Sequence, residues 1–378
     1  MTSHCHPPCP LNCDVVVHGI GGRSLARQLG GGVNMESFAD PLDLNLILSD
    51  QELRNGTLST ENTKLGVMLL HARGYVLLKG AVPIPLVTEL HSSFKTLYKE
   101  NAQRLQALPR HSQVIGAGED GRSVFWERKF RFRVFPKLRG PFASPYVVRN
   151  PFAESIIAET LGANYYCKFV SSDTCVKGAI KQAPHRDIDY YNEDSVRGCI
   201  VNIPIMHCGL HNGPIEVWPG GSHLWRSEKF SKFNLHPFIQ DDINPAVEAF
   251  ASHILSKQIE LQPGELLIRD PGMWHCGTPN PTDEPRTMLT NGYFRKDFYY
   301  DYGDPFYNLD EKLYKELDPS VQELFAPFFD KTDWRYWKLH QIRTLHGVAD
   351  RRYLGAPFRI GQRMTGLVKA KIRAFLET

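Results

Sequence analysis

The chain has 378 residues, 42% of them hydrophobic, and its 44 Lys+Arg against 41 Asp+Glu give a formal charge of +3. That composition excludes wholesale disorder, and so small a charge balance offers no electrostatic case for a nucleic-acid or membrane-surface protein. No apolar run approaches the roughly 20 residues that span a bilayer, and 30 glycines with 26 prolines punctuate short strands more naturally than long helices.

Residues 1–62 read as an irregular extension with Gly30-Gly31-Gly32 as a linker. No positively charged region followed by an apolar stretch opens the chain, so the reading is a cytoplasmic protein whose eight cysteines stay reduced. Cys5, Cys9 and Cys13 beside His4 and His6 fit neither the common zinc nor the common iron–sulfur spacings. Gly19-Ile20-Gly21-Gly22 lacks the third glycine and the βαβ context of a dinucleotide-binding turn. Next, Gly74–Gly80 predicts a short strand bounded by glycines. Leu86, Leu90, Phe94, Leu97 and Tyr98 recur at helical steps and predict an amphipathic helix over 83–108. Asn150-Pro151 is a start signal for a second helix ending at Leu161.

From Tyr165 the texture changes. Short β-type runs are expected at Tyr165–Ser171, Gly198–Met206, Ile215–Trp218, Ile259–Leu261, Leu266–Arg269 and Thr287–Phe294, separated by Asn212-Gly213-Pro214, Pro219-Gly220-Gly221 and Pro263-Gly264-Glu265. Many short strands with turns between them predict a sandwich or jelly roll. The segment 308–346 reads as helical, and 351–373 carries seven basic residues. The whole is expected as one domain over 63–305, with 306–378 a helical extension serving the same domain as a lid or dimer element.

The informative stretch is Ala183-Pro184-His185-Arg186-Asp187. In an extended segment positions i and i+2 face the same side, so His185 and Asp187 can address one centre. An imidazole and a carboxylate are two of the three ligands of a facial triad, which leaves open positions on Fe(II) for a co-substrate and O2. With 15 histidines in the chain, one His-x-Asp pair arises readily by chance. The weight therefore rests on a third ligand, His275, in Asp270-Pro271-Gly272-Met273-Trp274-His275-Cys276-Gly277. Eleven residues on, Arg286 opens the next strand. A guanidinium clamps a carboxylate through two bonds, as the far end of a dicarboxylate such as 2-oxoglutarate requires.

Three blocks together resemble the phytanoyl-CoA dioxygenase family of Fe(II)/2-oxoglutarate-dependent oxygenases. They are His185-Arg186-Asp187; Asn212-Gly213-Pro214-Ile215-Glu216-Val217-Trp218-Pro219-Gly220-Gly221-Ser222-His223, with one glycine more than the family pattern; and His275 to Arg286. The resemblance covers about 65–300. It implies a mainly β fold with flanking helices, a double-stranded β-helix (jelly roll, cupin-like). It also implies Fe(II) held by His185, Asp187 and His275, and 2-oxoglutarate held by Arg286, with Asn202 near its 2-oxo acid end. O2 would be consumed, succinate and CO2 released, and a small organic molecule, here expected to be a secondary metabolite, oxidised, most simply by hydroxylation. Halogenases similar to this family lack the carboxylate that Asp187 supplies. Tyr190, Tyr191 and Asn192 follow the metal motif where substrates pass in similar enzymes, and Trp218 and Trp274 are further candidates for the substrate cavity. His223 is expected to fix a turn. No nucleic acid or membrane partner is expected; a homodimer is compatible. The competing readings are an acyl-CoA 2-hydroxylase, for which the basic 351–373 segment would supply a groove, and a non-catalytic sensor or binding protein on the same scaffold.

Overall fold

In the computed structural model the described residues are 44–106, 125–128, 130–188, 196–220, 248–249, 251–298 and 308–330. Period-two alternation explains the layers. On Tyr75–Lys79 (β2), Tyr75 and Leu77 turn inward, while Val76 and Leu78 turn to the opposite face. The same split recurs on Leu266–Arg269 (β9), where Leu267 is inward and Leu266 and Ile268 outward. Both faces are apolar because both are covered.

The remaining strands are Leu46–Ile47 (β1), Phe125–Arg128 (β3), Arg131–Val134 (β4), Tyr165–Cys175 (β5), Gly198–Pro204 (β6), Ile215–Val217 (β7), Lys257–Ile259 (β8), His275–Gly277 (β10) and Arg286–Arg295 (β11). Among the described residues, eight strands form one sheet in the order β1-β2-β9-β6-β11-β5-β4-β3, and three form a second in the order β10-β7-β8. Tyr75, Leu77, Leu267 and Met288 of the large sheet pack on Ile215, Val217 and Ile259 of the small one, which closes the space between them. The fold is mainly β with flanking helices, as expected.

Helices Asp50–Asn55 (α1), Thr60–Arg73 (α2), Ile84–Gln106 (α3), Pro145–Val148 (α4), Pro151–Leu161 (α5), Glu311–Glu316 (α6) and Pro319–Phe329 (α7) accompany the sheets. Leu70, Leu90, Phe94, Ile156, Ile157, Phe325 and Phe328 share one buried cluster with Val76, Leu78, Val201 and Ile268, so helices cover the outer face of the large sheet. The Asn150 side chain accepts from the backbone N–H of Phe152 and Ala153, and Pro151 occupies the first turn, which is why α5 begins where the sequence places it. Among the described residues, no helix is long and apolar enough to cross a membrane.

The expectation of an irregular 1–62 fails over its last third. Leu46–Ile47 pairs in parallel with β2, and two capped helices follow. In α2 the residues Leu65, Val67, Leu69 and Leu70 all meet the core, so no single apolar stripe advertises a helix. The expected strands over 165–296 are present with shifted ends; β5 runs on to Cys175 because β4 and β11 pair along its far half. The helical reading of 308–346 holds for α6 and α7. Residues 331–378, the basic segment included, lie outside the described residues, as do Cys5, Cys9, Cys13 and Gly19–Gly22. The described cysteines are all free thiols and buried.

Candidate metal centre

Two backbone hydrogen bonds bring the first and third candidate ligands together. The His185 N–H donates to the His275 carbonyl at 3.0 Å, and the His275 N–H returns the bond at 2.9 Å. Residues that exchange both bonds in an antiparallel bridge carry their side chains on one face. The imidazoles accordingly stand with ring centroids 4.5 Å apart. A turn over Asp270–Met273 makes room: the Asp270 carboxylate accepts from the Gly272 N–H at 2.8 Å, and the Pro271 carbonyl accepts from the Asp187 N–H at 2.9 Å. One ligand atom each from His185, Asp187 and His275 then lies within 4.8 Å of the others. The order of the blocks along the chain matters less than this local bridge, which sets the geometry.

Each imidazole is oriented from behind. His185 Nδ1 lies 2.8 Å from the Ala183 carbonyl and His275 Nδ1 lies 3.0 Å from the Met273 carbonyl. A carbonyl only accepts, so we assign the ring proton to Nδ1 in both, at His275 because the carbonyl at 3.0 Å is closer than the donor Arg269 Nη1 at 3.5 Å, leaving each Nε2 with a lone pair for the shared centre. Burial pushes the pKa of His275 down and the charge of Arg269 adds to this, outweighing Asp187, to about 3. For Asp187, burial alone would raise the carboxyl, but His275 and Arg269 together hold it well below the usual carboxylate range. A neutral imidazole at His275 and an ionised carboxylate at Asp187 are protonation states a divalent metal needs. The donor set fits Fe(II).

These shifts have a sign in stability. The unfolded His275 titrates near 6.5 and the folded one near 3, so between these values the unfolded chain binds a proton that the native state refuses, and stability rises with pH. Asp187, depressed in the fold, acts in the same direction at lower pH: its contribution is present above the unfolded carboxyl value of 3.8 and is lost as pH falls. The metal-free protein is therefore expected to lose stability between pH 6.5 and 5, by up to about 2 kcal/mol from His275. Denaturation in chelator across that range measures it, and His275→Gln should flatten the profile.

Arg286 lies at the start of β11, paired with Cys175, whose other neighbour is Arg131. Its side chain is buried, and Nε and Nη1 have no hydrogen-bond partner among the described residues. Arg131, whose pKa burial lowers and the charge of Arg286 lowers further, spends its guanidinium on the carbonyls of Ile180 and Thr278. Asp283, a near neighbour of Arg286 in sequence, pairs with Lys177 at 2.8 Å. Donors left open beside a second guanidinium suit an anion.

Asn202 is fully buried on β6, and its amide is engaged on both sides: Oδ1 accepts from Arg269 Nε at 3.3 Å and Nδ2 donates to Thr290 Oγ1 at 3.0 Å. Trp218 and Trp274 are buried in a small cluster with Ala251 and Cys276, and Trp218 Nε1 donates to the Ala251 carbonyl. Tyr190, Tyr191, Asn192 and His223 lie outside the described residues. Arg269 went unrecognised in the sequence. It is 4% exposed and its Nη2 donates to Asp187 Oδ2 at 2.8 Å. The available signal was a charged residue two positions from Leu267, on the inward face of a strand otherwise wholly apolar.

Solved structures similar to this chain include the epimerase SnoN in complex with Fe3+, alpha ketoglutarate and nogalamycin RO, at 16% identity over 63% of this chain and 85% of that one, with a TM-score of 0.44. The alpha ketoglutarate dependent carbocyclase SnoK from nogalamycin biosynthesis matches at 16% identity over 68% and 95%, with a TM-score of 0.45. AviO1 from Streptomyces viridochromogenes Tue57 matches at 16% identity over 64% and 99%, with a TM-score of 0.44. The sequence profile of phytanoyl-CoA dioxygenase matches residues 70–288, more than half of the chain. With that match, and with two histidines and a carboxylate gathered at one buried point, the chain belongs to the phytanoyl-CoA dioxygenase family of Fe(II)- and 2-oxoglutarate-dependent enzymes.

Proposed function

We propose that this protein oxidises a small organic molecule, a secondary metabolite, by hydroxylation at a C–H bond, with His185, Asp187 and His275 holding Fe(II) and Arg286 binding the distal carboxylate of 2-oxoglutarate. The observation that carries the reading is the pairing of the three-ligand cluster with a buried arginine whose donors stand open on the same barrel. When bound, iron and 2-oxoglutarate supply the oxidising chemistry, in which O2 is consumed and succinate and CO2 leave.

The chain's own contribution is placement. Ala183 and Met273 fix the tautomers of the two imidazoles. Asp187 stays ionised against its burial. Arg286 draws a dicarboxylate lengthwise into the barrel, so its other end meets the metal ligands. The apolar wall of Tyr75, Leu77, Leu267, Met273 and Met288 keeps water from the interior.

Anaerobic mixing with Fe(II) and 2-oxoglutarate is expected to produce a visible metal-to-ligand absorption, and admission of air to release succinate, faster in the presence of the right metabolite. A wild-type protein that gives neither signal overturns the reading; succinate without oxidised product from any metabolite pool would leave a binding or sensing role.

A further inference from the structure

The connection between β6 and β7 carries a second group of imidazole and carboxylate side chains: His207 and His211 of the run His207-Cys208-Gly209-Leu210-His211, with Glu260 just past β8. Cys208 and Leu261 exchange both backbone hydrogen bonds at 2.9 Å and turn their side chains into the apolar cluster between the sheets. Alternation then places the flanking His207, Gly209 and Glu260 on the opposite face. The loop is set from within: the buried Asn212 donates from Nδ2 to the His207 carbonyl at 2.7 Å, and its Oδ1 accepts the Gly209 N–H at 2.8 Å. Gly209 leaves the space that the two side chains share, since a Cβ there would lie 2.6 Å from both His207 Nε2 and Glu260 Oε2.

We propose that His207, His211 and Glu260 form a second metal site, for a Zn(II)-type ion, that clips the β6–β7 connection to the end of β8. His207 Nε2 is shielded from solvent with no hydrogen-bond partner among the described residues, and Glu260 Oε2 lies 3.6 Å from it. That gap is too long for a hydrogen bond. It is close to the roughly 3.4 Å that separates two ligands on a tetrahedral ion with bonds of about 2.1 Å. The His211 ring stands 4.9 Å from that of His207, tilted by 39°. The triad supplies the comparison: His275 Nε2 lies 3.5 Å from Asp187 Oδ2, and its two rings stand 4.5 Å apart at 50°. Among the described residues the triad alone has three ligand atoms already within 4.8 Å of one another. Here two are set, and His211, exposed in its turn, completes the group by rotating its ring toward the ion. Two imidazoles and one carboxylate select Zn(II), Ni(II) or Cu(II) over Ca(II) and Mg(II), with water filling the fourth position. The small sheet runs β10-β7-β8, so this site lies past the strand farthest from His275 and is independent of the triad.

Zn(II) itself is the probe. The full chain and its variants are dialysed against Zn(II) and the metal is counted per chain, so that zinc held at the triad or elsewhere cancels in the difference. Wild type is expected to bind one ion more than His207→Ala, and one more than His211→Ala, whose exposed ring has little to lose in folding. Gly209→Ala keeps all three ligands but drives a methyl group between Nε2 and Oε2, and it is expected to lose the ion as well. Zn(II) should also raise the melting temperature of wild type more than that of any of the three variants. A simple ion pair between a protonated His207 and Glu260 would give a different pattern, with the zinc count indifferent to His211. Equal counts in wild type and His211→Ala therefore overturn the proposal. A zinc-dependent rise in melting temperature as large in His207→Ala as in wild type overturns it too.

Discussion

Arg286→Met is expected to raise the KM for 2-oxoglutarate by at least 100-fold while the protein melts no lower than wild type. The two halves of this result come from one observation. A charge-assisted, two-bond contact between guanidinium and carboxylate contributes on the order of 3 kcal/mol or more, which is about a hundredfold in affinity. In the absence of that anion, however, Nε and Nη1 of Arg286 are buried without a partner among the described residues. An unsatisfied buried donor costs about 1–3 kcal/mol. Methionine carries the chain as far as the position of Nε and has no donor to leave stranded, so the ligand-free variant should match wild type in thermal denaturation. Adding 2-oxoglutarate should then raise the wild-type melting temperature and leave that of the variant alone. Calorimetry with and without 2-oxoglutarate, together with the dependence of succinate formation on its concentration, reads both halves. A melting temperature several degrees lower for the variant would instead mark Arg286 as part of a structural ion pair, and unchanged kinetics would remove it from the co-substrate site.

The parts of the site that the sequence made legible are those whose chemistry is local. His185 and Asp187 sit two residues apart, His275 follows a Pro-Gly turn, and Arg286 opens the strand after it. The parts that escaped depend on pairings between distant strands. Arg133, Asp173, Asn202, Arg269 and Thr290 span more than 150 residues of sequence, and only the register of five strands brings them into one line of hydrogen bonds. Polarity also misleads in this barrel. On β4 the outer residues Phe132 and Val134 join the main core, whereas Arg133, on the other face, meets Asp173. The usual rule that the charged face of a strand meets solvent is reversed there, since the interior must receive ions. Trp218 and Trp274 show the opposite case. Large aromatics beside a metal motif invite a cavity role, but here both are packed with Ala251 and Cys276, with the Trp218 indole proton spent on a carbonyl.

Asp187→Ala is expected to destabilise the metal-free protein by about 3–5 kcal/mol, beyond its loss of metal-dependent turnover. The reason lies in what the substitution strands. Arg269 is 4% exposed and donates to Asp187 at 2.8 Å, with the Asn202 amide oxygen on its Nε and His275 Nδ1 3.5 Å from its Nη1. Removing the carboxylate leaves a buried guanidinium beside His275 without its hydrogen-bonded counter-charge, and Asp173 acts on it only from farther away. The remedy is to remove both charges together. Asp187→Ala combined with Arg269→Met should recover most of the lost stability in chelator, giving a coupling of about 1–3 kcal/mol in a double-mutant cycle. Metal should separate the variants further: wild type gains stability on adding Mn(II), and neither Asp187 variant gains as much, because two neutral imidazoles lack the carboxylate that anchors the ion. Urea denaturation of the four proteins in EDTA and in Mn(II) measures every term. Strict additivity in EDTA would show that Arg269 and Asp187 are neighbours without energetic coupling. Full stabilisation of Asp187→Ala by the metal would show that the carboxylate is not among its ligands.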